Sequence, residues 1–370
     1  MALKHATEAT RTYPCTACGG ELAFDISTQL LKCGHCGNTH ELAEVAGRVT
    51  ERDLREALAL LSRRSSAAAH LIATEKEIVC QNCGGHTTFT GSLTSDKCPY
   101  CATPIQRDDV HDAPERLPVD GVLPFAVDDD QAKTMIDAWI KSRWFAPSEF
   151  KSYSRTGSFA SIYMAYFTYD ADTFTRYSGQ RGDNYTVTVG SGDNKRTEVR
   201  TNWRSTSGTV RNSFDDIPVF ANEGLDRNKV AKLEPWPTEN AKPYSAEYVA
   251  GHLCRTYDHD IEECLPEATQ QMEAEIQQTV RRDIGGDQQR ISSLDVNWQK
   301  MTYKHVLLPI WLLTVIYQQR PFQVYINGVT GEVHGARPYS KVKIAIAVAI
   351  AVAIVILIMI AVSAGGGGSG

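Results

Sequence analysis

The sequence predicts an α+β protein built from two four-cysteine zinc ribbons, an antiparallel β-rich α+β body and one C-terminal transmembrane helix. Three observations carry this reading. Eight of the 10 cysteines fall into two copies of one spacing, the stretch 121–340 mixes strand-like runs with amphipathic helices, and residues 344–362 are only Ile, Val, Ala, Leu and Met. With 370 residues, 42% apolar and 22% charged, the chain has ample material for a buried core; its 15 prolines exclude a collagen-like or wholly disordered polypeptide. Lys plus Arg number 38 against 44 Asp plus Glu, a net charge of -6. A protein that holds nucleic acid through its global field needs the opposite balance, because phosphate neutralisation supplies most of that affinity.

The first ribbon is expected over residues 1–46. Cys15-x2-Cys18 is followed after 14 residues by Cys33-x2-Cys36. A helical spacer over 47–76 comes next, with Glu51–Leu61 as the helix, Thr50 as its cap and Arg63 and Arg64 at its end. The second ribbon, 77–107, repeats the spacing as Cys80-x2-Cys83 and Cys98-x2-Cys101, offset by 65 residues, and CTACGGELAF reappears as CQNCGGHTTF. Two residues between thiolates let one tight turn bring both sulfurs to the same ion at about 2.3 Å. Gly19, Gly37 and Gly84 after the second cysteine allow a positive φ; Ala102 departs from that pattern. Each site has four sulfurs and no open position, which makes it structural, and two Zn2+ ions are expected. Iron in a rubredoxin-like site and a redox dithiol are the alternatives. His35, His40 and His86 are read as bystanders beside sets already complete.

Residues 12–42 carry a local charge of −2 and residues 78–107 one of +1, before each four-thiolate zinc adds about two negative charges. Neither ribbon offers a basic face with interleaved aromatics, so protein binding is expected rather than nucleic-acid binding.

After a linker at 108–120, the body is expected over 121–340. Asp128, Asp129 and Asp130 open a helix with Ala132, Met135, Ile136, Trp139 and Ile140 on one face, and Pro147 stops it. Strands are expected at Ile162–Tyr177, Tyr185–Val189 and Lys195–Val210, separated by Gly-Asp and Ser-Gly turns. A helix from Pro266, set in its first turn, to Ile284 ends at Gly285 and Gly286. Further strands are Ile291–Trp298, Lys304–Gln318 and Phe322–Ile326, the last turning at Asn327-Gly328 into Glu332–His334. The apolar run Val306–Ile316 contains Pro309 and is too short to span a bilayer, so it reads as a central strand.

The membrane helix is expected over 341–364, ahead of a Gly-rich tail at 365–370. Nineteen apolar residues from Ile344 to Val362 make a helix of about 28 Å, and its 12 larger aliphatics favour insertion by on the order of 4 to 7 kcal/mol. Lys341 and Lys343 precede it and no charge follows it, which places the bulk of the chain in the cytoplasm at the plasma membrane. Met1–Arg11 contains no apolar h-region. In that compartment regular cysteine spacing points to metal rather than disulfides.

No catalytic signature stands out: the chain has no G-x-x-x-x-G-K-[ST], no G-x-S-x-G and no H-E-x-x-H, and a non-enzyme is expected. His252, Cys254, His259 and Cys264 could form a third metal site, although their spacing is irregular. Asp258, Asp260, Glu262 and Glu263 read as a solvated loop.

The ribbons, the PFAVD…WIKSRWFAP segment at 124–147 and VLLPIWLLTVIYQQRPFQVYINGVTGEVHGARPYSKVKI at 306–344 resemble a bacterial family of tail-anchored double-zinc-ribbon proteins. Its members are associated with SPFH (flotillin-like) and phage-shock-like envelope proteins and are sometimes labelled primosomal or helicase-like. The resemblance covers nearly the whole chain; 178–220 is more individual, and the missing phosphate loop speaks against an ATP-driven motor. It implies a cytoplasmic adaptor or scaffold that holds an SPFH-type or envelope-stress partner at the membrane. The alternative is a membrane-anchored nucleic-acid-binding ribbon protein, and a third option is an enzyme using the β-rich body.

Overall fold

The computed structural model describes residues 10–11, 13–43, 45, 47–62, 76–79, 86–89, 93–97, 104–107, 117–153, 158–190, 195–223, 225–318 and 320–365. The principal elements in chain order are β1 (Leu22–Asp25), β2 (Leu30–Cys33), β3 (Thr39–His40), α1 (Leu54–Ser62) and α2 (Asp129–Ser142). Next come β4 (Ser158–Val189), β5 (Arg196–Phe220), α3 (Ile261–Ile284), β6 (Gln288–Tyr317), β7 (Arg320–Asn327), β8 (Val333–Gly335) and α4 (Lys341–Gly365). The protein is α+β, dominated by antiparallel pairing, with one long apolar helix at its C-terminal side. It divides into two compact units: Met1–Pro124, Tyr163–Leu225 and Pro237–Leu308 form the first, and Phe125–Ile162, Asp226–Trp236 and Pro309–Gly370 the second.

In the first unit, β1, β2 and β3 form a small antiparallel sheet, and the alternation in β1 and β2 turns Leu22, Phe24, Leu31 and Cys33 inward. Helix α1 starts later than expected. Arg52 and Asp53 pair as a short strand with Tyr303 and Thr302, and Asp53, not Thr50, caps the helix by accepting the Arg55 and Glu56 N–H groups at 2.8 and 3.1 Å. The expected Arg63 and Arg64 helix end lies outside the described residues, as do the rest of the spacer up to residue 75 and most of the 108–120 linker.

β4 and β5 make one long antiparallel ladder from Tyr166↔Phe220 to Val189↔Arg196 where the sequence suggests several strands and turns. Gly179 shows why. A Cβ there would lie 2.4 Å from the Arg290 carbonyl oxygen, so this glycine marks a close approach of backbones inside a continuous strand rather than a turn. Helix α3 covers β5 with Ile261, Cys264, Ala268, Met272, Ile276, Val280 and Ile284 buried. Tyr177 donates to Asp283 at 2.5 Å and Asn212 to Thr279 at 2.9 Å, pinning the helix to the ladder. The helix begins at Ile261 and not at Pro266. Asp260 accepts from the N–H groups of Glu262 and Glu263 while the Glu263 carboxylate takes the Asp260 N–H, a reciprocal capping box. The acidic stretch read as a solvated loop is therefore a helix start.

The sheet of this unit runs Leu253–Arg255, β4, β6, Gly121–Val122, Lys242–Pro243, and Gly121–Val122 lies parallel to Val306–Leu307. The expected strands Ile291–Trp298 and Lys304–Gln318 are parts of the single strand β6. Beside it Lys304 joins a buried ionic set, with Nζ 2.6 Å from Asp216 and 3.9 Å from Asp170, and it also lies 3.5 Å from the exposed Glu51.

In the second unit, Asp128 caps α2 through a capping box with Gln131, and Ala132, Ile136 and Ile140 are buried. Trp311 donates its indole N–H to the Val127 carbonyl at 2.8 Å and stacks on Phe159 with centroids 4.8 Å apart. Residues 310–317 of β6 pair with β7, which pairs with β8. The turn between β7 and β8 uses the Asn327 side chain, which accepts from Val329 and Thr330 at 2.9 and 3.0 Å. α4 carries a 20-residue segment, Lys341–Ile360, with a mean hydropathy of 3.0 and none of it buried.

Candidate metal centre

Cys15, Cys18, Cys33 and Cys36 are brought together in the first ribbon, their sulfurs all within 4.8 Å of one another. Each pair comes from a turn of the same build. The Cys15 N–H donates to the Gly20 carbonyl at 2.6 Å and the Gly19 N–H returns to Cys15 at 2.8 Å. In the second turn the Cys33 N–H donates to Asn38 at 2.8 Å and the Gly37 N–H returns to Cys33 at 2.9 Å. Gly19 and Gly37 sit at φ 71° and 75°, the left-handed region expected after each second cysteine. Across the two turns, Cys15 Sγ lies 3.7 Å from Cys36 Sγ and Cys18 Sγ 3.6 Å from Cys33 Sγ. A tetrahedron with arms of about 2.3 Å has edges of about 3.8 Å, so the four sulfurs fit one zinc ion without rearrangement.

The electrostatics suit a cation. Cys15 is brought down to about 6, first by the Ala17 N–H and against burial, with help from the Cys18 N–H, His40 and Cys36. Cys33 is lowered by the N–H groups of Cys36 and His35. The Gly20 N–H favours the Cys18 thiolate, yet Cys36, partial desolvation, Cys33 and Cys15 push this thiol up to about 12. Adjacent thiolates repel one another, and a divalent ion would supply the opposing charge that lets them ionise side by side. A zinc ion held there would cross-link the two turns, and four protein sulfurs would leave it no open position for a substrate.

The ribbon is docked on the body of its unit. Phe24 donates its N–H to the Ala250 carbonyl at 2.9 Å and packs its ring edge-on to Tyr248 at 5.5 Å. The His252 ring approaches the Phe24 carbonyl at 3.3 Å, and the Ala43 N–H reaches Glu247 at 2.7 Å. Cys15, Leu22, Phe24, Leu31, Cys33 and Ala250 form one hydrophobic cluster, while Cys18 and Cys36 stay exposed. Gly20 escaped the sequence reading. A Cβ there would meet Cys18 Sγ and Cys33 Sγ at 3.3 Å each, and the signal was the second glycine of the repeated Cys-Gly-Gly.

Cys80, Cys83, Cys98 and Cys101 lie outside the described residues, as does the zinc expected on them. The strands that flank them are described, and their register matches the first ribbon. Pro14↔Glu21 and Lys32↔Thr39 bracket the first two Cys-x2-Cys segments; Val79↔His86 and Lys97↔Pro104 bracket the other two, each pair 65 residues further on.

His252, Cys254, His259 and Cys264 are not assembled into a ligand set. Cys254 is buried on the strand Leu253–Arg255, the Cys264 thiol faces the His259 carbonyl at 3.8 Å in the first turn of α3, and His259 approaches Glu223 and Glu263 at 3.5 and 3.6 Å. A second group, Glu51, Asp170 and Asp215, is also close enough for a cation, but Lys304 reaches into it. Burial pushes Asp170 up to about 6, and Lys304, though burial disfavours its charge, is raised by Asp216 and Asp170.

The chain is similar to the uncharacterized protein YdjG of Bacillus subtilis (strain 168), 25% identical over 340 residues that cover 90% of this chain and 91% of that protein. No protein-family model matches the chain, and no solved structure matches it.

Proposed function

We propose that this protein is a membrane-tethered cytoplasmic adaptor. The observation that carries the tether is the exposure of α4: Ile346, Val348, Ile350, Val352, Ile354 and Leu357 are each at least half exposed on a helix with no polar face. Such a helix is insoluble as it stands and finds its solvent in hydrocarbon. Lys341 and Lys343 at its start favour a cytoplasmic body at the inner face of the plasma membrane.

The adaptor role rests on the closed, four-sulfur character of the metal centre, which suits a scaffold better than a reaction. The second zinc is assigned to Cys80, Cys83, Cys98 and Cys101 on the strength of the shared strand register. The partner class, an SPFH-type or phage-shock-like protein, follows from the family resemblance. Crosslinking in intact membranes with and without zinc chelation tests the whole reading. An SPFH-type or envelope-stress protein crosslinked in a zinc-dependent manner is the expected result; the same crosslinks after chelation, or from a C15S/C18S variant, would refute a role for the ribbons. A chain truncated before Lys341 is expected in the soluble fraction with its zinc retained.

A further inference from the structure

We propose that a cleft beside the start of α4 binds the phosphate of an anionic phospholipid headgroup. The cleft, about 570 Å³, belongs to the second unit and is lined by Trp139, Arg143, Lys229, Glu332, Arg337 and Tyr339 among others. Its charges are unequally matched. Lys229 is paired with Asp226, and Glu332, the one acid of the lining, is engaged by the His334 ring at 3.1 Å. Two guanidinium groups are left over. Arg143 lies 4.7 Å over the Trp139 ring, and Arg337 lies 5.3 Å over that of Tyr339. Ring stacking fixes the plane of a guanidinium while leaving its N–H edge free to donate. The Nε of each arginine is buried and has no hydrogen-bond partner among the described residues.

Neither guanidinium has a carboxylate partner among the described residues, so the cleft that both arginines line holds two positive charges without a matching anion. The group that meets two planar forks with several oxygens and a negative charge is a phosphate. Its source follows from where the cleft lies. The Ser340 N–H donates to the Phe145 carbonyl at 2.8 Å, and Lys343 Nζ to that of Ala146 at 2.7 Å, so the turn after Arg143 is tied to the first turn of α4. Tyr339 stands five residues before Ile344, where the apolar run begins. With α4 across a bilayer, the cleft sits at headgroup depth. Trp144 and Tyr339, 59% and 60% exposed, present the amphipathic rings that favour this layer. The surplus positive charge, with Lys341 close by in sequence, selects a lipid of net negative charge over a zwitterionic one.

The inference rests on the membrane-tether reading, and its test keeps the two apart. Full-length protein, solubilised in neutral detergent and stripped of lipid, is titrated with phosphatidylglycerol, phosphatidylcholine or inorganic phosphate and read by native mass spectrometry. One phosphatidylglycerol per chain is expected, held about tenfold or more tighter than phosphatidylcholine, a margin that one charge-assisted hydrogen bond supplies. R143Q/R337Q is expected to lose that preference with its thermal midpoint unchanged. If this variant does not fold, R143K/R337K, which keeps the charge and loses the fork, is expected to bind phosphatidylglycerol several-fold more weakly. Equal retention of both lipids, wild-type phosphatidylglycerol binding by the folded variants, or displacement of the lipid by inorganic phosphate at comparable concentration would each overturn the proposal. Release of the full chain from membranes by alkaline carbonate would instead overturn the tether and leave the detergent measurement standing.

Discussion

Replacing Lys304 by Met would strip the carboxylates of Asp170 and Asp216 of a cation lying 3.9 and 2.6 Å away. Lys304 and Asp170 are each 8% exposed, so water cannot make good the loss. At an effective dielectric of about 20 the Lys304–Asp216 attraction alone is roughly 6 kcal/mol, most of which offsets the desolvation of the two groups. Breaking such a buried set from one side costs about 3–5 kcal/mol net, or roughly 6–20 °C in Tm for a unit of this size. The pH dependence has a definite sign. Burial holds the Asp170 pKa at about 6, above its unfolded value, so the folded state keeps a proton that the unfolded state gives up. Ionisation of Asp170 therefore costs stability, increasingly as pH rises from about 4 and in full above about 6. Without Lys304 that cost grows at neutral pH and still vanishes in acid. Urea unfolding of the detergent-solubilised chain, followed by tryptophan fluorescence between neutral pH and mild acid, is expected to show a large deficit for K304M that shrinks on acidification. The double variant K304M/D216N, which removes the opposed charge as well, is expected to recover a substantial part. A K304M protein within about 1 kcal/mol of wild type, or a deficit that widens as pH falls, would refute the reasoning.

Other residues give expectations of their own. Phe24→Ala empties a buried position at the ribbon–body contact and is expected to cost about 3–5 kcal/mol locally, read as faster amide exchange across Leu22–Cys33. Gly20→Ala puts a methyl 3.3 Å from two of the sulfurs and is expected to weaken zinc retention against a competing chelator without changing secondary structure. Partial burial would raise the Asp25 pKa, but the hydroxyls of Ser27 and Thr28 and the Thr28 N–H hold it down to about 2. Its contribution to ribbon stability is thus present above about pH 4 and lost as pH falls toward 2, a slope that Asp25→Asn is expected to abolish.

The sequence was most legible where spacing carries the chemistry. The Cys-x2-Cys repeat located the four sulfurs that meet, Gly19 and Gly37 after the second cysteines adopt the positive φ that the turn needs, and the polar-free run lies in a helix whose Lys341–Ile360 segment has no buried residue. It was least legible where one residue type serves two purposes. Gly-Asp and Ser-Gly pairs read as turns between short strands, while Gly179 is a backbone crossing within a 32-residue strand. Pro266 looked like a helix start, while the start is the Asp260–Glu263 capping box hidden in a stretch whose acidity suggested a loop. The irregular spacing of Cys254, Cys264 and their histidine neighbours made a metal site the lesser reading, and the two cysteines are buried on different elements. Docking of the ribbon through Phe24 onto Tyr248 and Ala250 joins residues more than 200 positions apart, a pairing no local pattern encodes.

The most direct test of the account is the zinc content, by elemental mass spectrometry, of full-length protein recovered from carbonate-washed membranes. Two zinc ions per chain are expected, and one in a C15S/C18S variant. A membrane fraction with no zinc, or a variant with its zinc content unchanged, would contradict it.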